Sequence, residues 1–135
     1  MTSDVVTASD HAANTPFTGL FLKKGEKITV QDLLWALLLR SANDACVASA
    51  EQVAGSEEKF IEMMNAKAVE LGLKDTHFVN PHGLNAKDHY SSAYDLAVLA
   101  RHAMQNPRFA DIVSHKRKRI DRSIEKKDCV VVNKN

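Results

Sequence analysis

Cysteine, net charge and long apolar runs are all scarce in this sequence of 135 residues. Cys46 and Cys129 are its only cysteines, and their spacing leaves a disulfide possible without indicating one. Cys46 lies in an apolar helical run and is predicted to be a small buried hydrophobe. The net charge of +1 gives no global field that would attract nucleic acid or a membrane surface. The longest apolar run, residues 33–39, is far too short to span a bilayer.

The N-terminal residues "MTSDVVTASD" lack both a basic start and an apolar stretch, so no signal peptide is predicted in this chain. The length suits one domain with its own hydrophobic core. No internal repeat and no linker suggests a second. We therefore expect residues 1–135 to belong to a single domain.

Strand patterns occur near both ends of the chain. Residues 4–9 are predicted to form a short strand, as are the runs "HKRKRI" and "CVVV" near the C-terminus. Residues 18–30 have the pattern of a hairpin. Lys24 and Gly25 supply its turn, and Ile28 and Val30 alternate in its second arm.

Five helices are predicted from capping residues and apolar periodicity. The first covers residues 31–40, is apolar on nearly every side, and begins with Thr29 and Asp32 as a capping pair. The second runs from about residue 44 to residue 54 and ends at Gly55. Capping residues or a proline begin the other three: Ser56, Ser92 and Pro107.

A polar corner, Ser41 and Asn43 around Ala42, joins the first two helices where a glycine or proline turn would be ordinary. A hydroxyl held there can pass a proton between a base and a leaving group. An amide two residues away can hydrogen-bond both a lysine and a substrate carbonyl. Serine and asparagine are also standard helix caps, so Ser41 or Asn43 could simply cap the second helix. The tripeptide alone does not decide between these alternatives.

Three motifs, taken together, point to a family. They are "SANDA" at residues 41–45, "LGL" at 71–73 and "NPHGL" at 80–84. With their surroundings they resemble the serine D-alanyl-D-alanine carboxypeptidases, the low-molecular-mass penicillin-binding proteins. The resemblance extends from about residue 5 to residue 135. It implies an α/β fold of the β-lactamase/transpeptidase type, of which this chain should hold mainly the helical cluster and a few antiparallel strands.

The resemblance also implies an active site built from three motifs: Ser-x-x-Lys, Ser-x-Asn and Lys-Thr-Gly. Ser41 and Asn43 match the second motif. Ser41 would relay protons, and Asn43 would orient the catalytic lysine and the substrate amide. The family would place the nucleophile motif before residue 5 and the Lys-Thr-Gly strand after residue 135. We therefore expect this chain alone to be inactive.

Two Ser-x-x-Lys strings do occur, at residues 56–59 and 123–126, and both follow Ser41 in the wrong order for the family. Ser56 is interpreted as a helix cap. Ser123 lies in a charged stretch where no helix would align it with Lys126. Neither is expected to be the nucleophile.

By resemblance, the complete enzyme would remove the terminal D-Ala from peptidoglycan stem peptides through a serine ester, with β-lactams as trapped mimics. The family needs no metal or other cofactor and works outside the cytoplasmic membrane, in the periplasm or cell envelope. A rival interpretation comes from another class: a helical binding module that kept the fold and lost the chemistry. Flanking coding sequence would separate the two.

Two further clusters have simpler explanations. Asp75, His77, His82, Asp88 and His89 crowd one long loop, but no pair has a recognised metal-ligand spacing, so loop hydrogen bonding is the simpler interpretation. The basic run at residues 116–119 is soon offset by acidic residues. It suits a charged edge strand better than a nucleic-acid site. Asp95 could reach the floor of the active site, although a capping role already explains it.

Overall fold

The computed structural model describes residues 3–122 and 129–135. In chain order the elements are β1 (Val5–Thr7), α1 (Asp10–Ala13), β2 (Lys27–Thr29), α2 (Val30–Trp35), a π-helical segment (Ala36–Arg40), α3 (Asn43–Ala54), α4 (Glu57–Glu70), α5 (Ala93–Met104), α6 (Pro107–Ser114), β3 (Arg117–Ile120) and β4 (Cys129–Val132). Helices dominate and the strands are short, as the sequence predicted.

The local start and stop signals are confirmed. The Ser56 hydroxyl accepts a hydrogen bond from the Lys59 amide at 3.2 Å, and the Ser92 hydroxyl accepts one from the Asp95 amide at 3.1 Å. Pro107 is the first residue of α6, and Gly55 follows α3 with φ of +85°. None of the helices within residues 3–122 and 129–135 combines the length and apolarity needed to cross a membrane.

The predicted hairpin over residues 18–30 is wrong in its first half. The turn exists, with Gly25 at φ +82° and the Glu26 amide donating to the Lys23 carbonyl at 2.9 Å. However, β2 pairs antiparallel with β1, and residues 18–22 form no strand. A buried carboxylate described below takes two of the amides in that segment, so no strand can use them. Val30, predicted in the second arm, is the first residue of α2.

The predicted strand over residues 4–9 is shorter than expected. β1 ends at Thr7, and the hydroxyl of Ser9 accepts a hydrogen bond from the Ala12 amide at 2.9 Å to begin α1, a helix that was not predicted. The same hydroxyl donates to Glu51 Oε1 at 3.0 Å. This contact connects the short first helix to α3.

The predicted helix over residues 31–40 begins one residue earlier and changes its winding halfway. Thr29 accepts a hydrogen bond from the Asp32 amide at 3.1 Å, which confirms the predicted cap. From Ala36 onward the backbone is π-helical, a wider turn that often marks functional sites. Leu39 is fully buried within this segment, so its inner face is fixed by the core.

The core packs α2, the π-helical segment and α3 against the β1–β2 sheet and a second antiparallel sheet formed by β3 and β4. Its largest buried apolar side chains are Leu33, Leu39, Val47, Ile120 and Val131, each at most 1% exposed. Burying side chains of this size is worth about 1.5–3 kcal/mol each relative to exposure. The end of the π-helical segment is therefore held from below by side chains on α2, α3, β3 and β4.

A buried ion pair ties the end of β3 to the segment before β2. Glu26 is 0% exposed, and its carboxylate accepts hydrogen bonds from Nε and Nη2 of Arg122 and, at 3.0 Å, from the Lys23 amide. Arg122 Nη1 also donates to the Leu20 carbonyl at 2.9 Å. Hydrogen bonding to Glu26 raises the pKa of Arg122, so the guanidinium stays charged. Nothing in the local sequence predicted this pair.

Candidate active site

Ser41 sits in a left-handed conformation at the end of the π-helical segment. Its φ and ψ are +60° and +42°, and its amide donates to the Ala36 carbonyl. A non-glycine residue in this region is uncommon and persists where its surroundings fix the backbone. The side chain is exposed, and its hydroxyl has no hydrogen-bond partner among residues 3–122 and 129–135. The corner therefore presents, on a fixed backbone, a hydroxyl that the described residues leave without a partner.

Neither Ser41 nor Asn43 caps α3 with its side chain. The N-cap is Ala42, which has no side chain able to bond the first turn, and Asn43 is the first helical residue. The helix-cap interpretation of this corner is therefore wrong. Whatever the two polar side chains do, they do not complete the start of α3.

Asn43 is 5% exposed and makes two hydrogen bonds to a neighbouring segment. Its backbone N–H donates to the Thr18 carbonyl at 2.8 Å, and its side-chain Nδ2 donates to the Pro16 carbonyl at 3.0 Å. A primary amide has two N–H donors and a carbonyl acceptor. Within residues 3–122 and 129–135, the Asn43 side chain thus keeps one N–H and its Oδ1 for a further partner.

Asp44 is the residue that sequence reasoning missed. Its carboxylate is buried and accepts the amides of Leu20 at 3.0 Å, Leu22 at 2.9 Å and Ala45 at 2.9 Å. Hydrogen bonds to a charged group are worth about 1.5–3 kcal/mol each, so this is a strong attachment. An acidic residue in the first turn of a helix was the one available signal, because it fits the positive end of the helix dipole.

Residues 16–22, which we call the clamp loop, are therefore fastened to the corner along their whole length. In addition to the bonds from Asn43 and Asp44, Arg40 Nε donates to the Gly19 carbonyl at 2.9 Å. Gly19 is buried against Asp44, with room for no side chain: a Cβ there would lie 2.7 Å from Asp44 Oδ1. The corner and the clamp loop form one rigid unit.

Cys46 lies on α3 close to this unit but is not a nucleophile. Burial, together with the nearby Asp44 carboxylate, raises the pKa of its thiol to about 12. A thiol that stays protonated at neutral pH is a poor nucleophile. Cys46 and Cys129 are both free, so the possible disulfide between them is absent.

The long loop after α4 is packed by its own hydrogen bonds. Asn80 Oδ1 accepts the Gly83 amide at 2.7 Å and its Nδ2 donates to the Leu84 carbonyl at 2.8 Å, which explains the "NPHGL" motif as a closed turn. His77 and His89 use Nδ1 for the Asp88 carbonyl and the Val79 amide. No group of three or more potential metal ligands is found in the described part of the chain.

Asp95 holds the beginning of the same loop. Its Oδ2 accepts the Asp75 amide at 2.8 Å and the Thr76 hydroxyl at 2.7 Å, while its own amide is capped by Ser92. The carboxylate is 3% exposed. Its contacts are therefore structural as well as capping.

Neither Ser-x-x-Lys string provides a nucleophile among the described residues. The Ser56 hydroxyl accepts a hydrogen bond from the backbone amide of Lys59 and so caps α4. Ser123 and Lys126 lie outside the described residues. Residues 3–122 and 129–135 thus offer at this corner an exposed hydroxyl and an amide with unused hydrogen-bonding capacity.

Comparison with known proteins identifies the family. The sequence matches the peptidase S11 family, D-alanyl-D-alanine carboxypeptidase, over residues 1–135. It is 50% identical over 103 residues to the D-alanyl-D-alanine carboxypeptidase DacF of Bacillus subtilis, an alignment covering 76% of this chain and 26% of that relative. The chain thus spans about a quarter of the length of this curated relative.

Solved structures agree with the sequence comparison. Penicillin binding protein 6B from Escherichia coli superimposes with a TM-score of 0.87 and 39% identity, covering 100% of this chain and 43% of the other. A D-alanyl-D-alanine carboxypeptidase from Mycobacterium tuberculosis gives a TM-score of 0.90 and 31% identity, covering 100% and 51%. The expected transpeptidase-like fold is confirmed. The chain belongs to the peptidase S11 family of D-alanyl-D-alanine carboxypeptidases.

Proposed function

We propose that this chain supplies the Ser-x-Asn part of an active site that removes the terminal D-Ala from peptidoglycan stem peptides. The observation that carries the proposal is the exposed hydroxyl of Ser41, which has no hydrogen-bond partner within residues 3–122 and 129–135, on a left-handed backbone two residues from the Asn43 amide. Loss of the capping explanation removes the ordinary reason for these residue types here.

The reaction would be acyl transfer. A serine hydroxyl attacks the carbonyl of the penultimate D-Ala, the C–N bond to the terminal D-Ala breaks, and water then hydrolyses the serine ester. The acylated serine and its lysine would come from a Ser-x-x-Lys motif elsewhere in the enzyme, with a Lys-Thr-Gly strand completing the site. β-Lactams would form the same ester and be released slowly.

In this reaction Ser41 passes a proton between the catalytic lysine and the leaving amine. Asn43 holds the same lysine and an amide of the substrate with its free Oδ1 and its remaining N–H. Two protein-bound partners, the carbonyls of Pro16 and Thr18, keep Asn43 in one orientation. Such fixed geometry is what positioning catalysis requires. The setting would be the periplasm or cell envelope, where the substrate is found.

Testing the proposal requires a complete enzyme. We would place residues 1–135 in the corresponding segment of the Bacillus subtilis relative and measure release of D-Ala from a peptide ending in D-Ala-D-Ala. Ser41→Ala should lower turnover by about 10²–10⁴-fold, the usual contribution of a positioned proton-transfer group. Its melting curve should change little, because the hydroxyl makes no hydrogen bond within the described residues.

Asn43→Ala should lower turnover as well, but it also frees the Pro16 carbonyl and should destabilise the protein by about 1–3 kcal/mol. Ser41→Ala is therefore the cleaner variant. Normal turnover per folded molecule in Ser41→Ala would show that Ser41 is structural and that the proposal is wrong.

A further inference from the structure

Two phenylalanines of the clamp loop project into solvent from an unfavourable backbone. Phe17 and Phe21 have φ of +68° and +57°, and they are 76% and 70% exposed. Positive φ is an outlier for a bulky side chain. An exposed aromatic ring also forgoes the stabilisation of burial. Two such residues in one short loop are not explained by the stability of this chain.

The corner itself enforces these conformations. Asn43 bonds the two carbonyls on either side of Phe17, those of Pro16 and Thr18, at 3.0 Å and 2.8 Å. Asp44 bonds the two amides on either side of Phe21, those of Leu20 and Leu22. Asn43 and Asp44, which are consecutive in the corner, therefore each hold the backbone on both sides of one phenylalanine. Backbone strain that the surroundings over-determine in this way clusters at functional sites.

The two rings differ in what lies beside them. Phe17 is bracketed by Asn43, whose free Oδ1 and N–H are assigned above to the lysine and the substrate. Phe21 is bracketed by Asp44, whose carboxylate is buried and fully used by backbone amides. The backbone around Phe17 is thus held by a residue of the proposed site, whereas the backbone around Phe21 is held by a carboxylate with no such role.

We propose that Phe17 is a specificity-determining residue that contacts the aliphatic side chain of the residue preceding D-Ala-D-Ala in the substrate. This inference rests on the function proposed above. An amide of the substrate held by Asn43 lies next to the segment that Asn43 also holds, so the neighbouring acyl-side residue passes Phe17. The ring offers no hydrogen bond, and its chemistry therefore suits methylene groups rather than a charged group.

Phe21 provides a matched control. It is the same residue type, in the same loop, with the same sign of φ and nearly the same exposure. Replacing Phe21 removes a similar amount of exposed apolar surface, at a position whose backbone is held by Asp44 instead of Asn43. If the phenylalanines serve stability or non-specific apolar binding, both substitutions should have the same effect. If Phe17 serves selectivity, only its substitution should change the preference between substrates.

The test uses the complete enzyme and two peptides that differ only before D-Ala-D-Ala, one with norleucine and one with glycine. Phe17→Ala should lower kcat/KM for the norleucine peptide about tenfold, through KM, and leave the glycine peptide unchanged, since even one methylene in an enclosed apolar pocket is worth roughly 10–200-fold. Phe21→Ala should change neither value. Phe17→Leu should keep most of the preference and provides a second variant if Phe17→Ala folds poorly.

Rates are normalised to the fraction of enzyme labelled by fluorescent penicillin, so that folding losses do not enter. Equal losses on both peptides, or equal effects of Phe17→Ala and Phe21→Ala, would overturn the inference. Ser41→Ala, measured beside them, separates the two proposals. If it keeps turnover, the proposed function fails; if it loses turnover while Phe17→Ala keeps the norleucine preference, only the specificity role fails.

Discussion

Gly19→Ala should destabilise this chain far more than an added methyl group ordinarily does. The new Cβ would lie 2.7 Å from Asp44 Oδ1 and 2.9 Å from its Cγ, distances that real Cβ atoms essentially never show, and 3.0 Å from Oδ2. Ordinary contact begins at 3.4 Å, so the carboxylate has to move by several tenths of an ångström. It cannot do so without stretching its hydrogen bonds to the amides of Leu20, Leu22 and Ala45.

The expected cost follows from these contacts. One bond to a charged group is worth about 1.5–3 kcal/mol, and overpacking of a filled site costs typically 1–3 kcal/mol. We expect a loss of about 2–4 kcal/mol, a large part of the 5–15 kcal/mol typical of a domain. Urea unfolding, monitored by the fluorescence of the single tryptophan, Trp35, measures this loss of unfolding free energy. The midpoint should fall by roughly 1–2 M, given the usual m-values.

A double-mutant cycle identifies the cause. In an Asp44→Ser background the carboxylate is gone, so Gly19→Ala should cost little there. The coupling energy should fall in the range of about 0.5–3 kcal/mol seen for residues in contact. Gly25→Ala is the control for backbone conformation alone, because no atom lies within 4 Å of its added Cβ while its φ is +82°. An equal cost of Gly19→Ala in both backgrounds would refute the contact as the cause.

Three further outcomes are expected. Glu26→Gln should cost about 3–5 kcal/mol in the same urea assay, because it leaves the half-buried Arg122 guanidinium without its counter-charge; a cost below 1 kcal/mol would contradict this. The raised pKa of Cys46, about 12 through burial, predicts slow alkylation of the native chain at pH 8, and rapid labelling seen by mass spectrometry would contradict it. The hydrogen bond to Glu57 raises the pKa of His11 in the folded chain above 6.5. The stability that this contact adds to the folded chain is therefore fully present below pH 6.5 and is lost as pH rises through that raised pKa. Because the imidazole is 62% exposed, His11→Gln should cost only about 0.2–1 kcal/mol at pH 5.5 and nothing at pH 9, and an equal cost at both would refute the link.

The sequence predicted those features whose partners lie within a few residues. Thr29, Ser56 and Ser92 each accept an amide three residues ahead, so residue type and spacing are enough to foresee the helix starts. The same locality explains the success at Gly55. It also explains the failure of the hairpin, since the partner of the Leu20 and Leu22 amides lies more than 20 residues away.

The candidate site was predictable only in part, for the same reason. Resemblance to a family singled out Ser41 and Asn43, but nothing local indicated that Asn43 holds the clamp loop or that no described residue bonds the hydroxyl of Ser41. Glu26 and Arg122 are separated by 96 positions, and their pairing cannot be seen in a pattern of neighbours. Long-range polar contacts of this kind set the geometry of the corner, and one sequence does not reveal them.

The π-helical winding before Ser41 also says how this corner tolerates changes in chain length. A π-turn holds one more residue than the α-turn it replaces, so it is equivalent to a single insertion absorbed without breaking the helix. Ser41 donates to the Ala36 carbonyl across five positions, and Ala42 reaches the same carbonyl at 3.4 Å. Deleting one residue between positions 36 and 40 would restore α-helical winding and leave the following backbone in nearly the same direction, because four α-helical steps of about 100° replace five narrower π-helical steps. The hydroxyl of Ser41 would then face nearly the same part of the molecule. This segment can therefore lose one residue without moving its chemistry, whereas the same loss within an ordinary α-helical turn would rotate everything after it by about 100°.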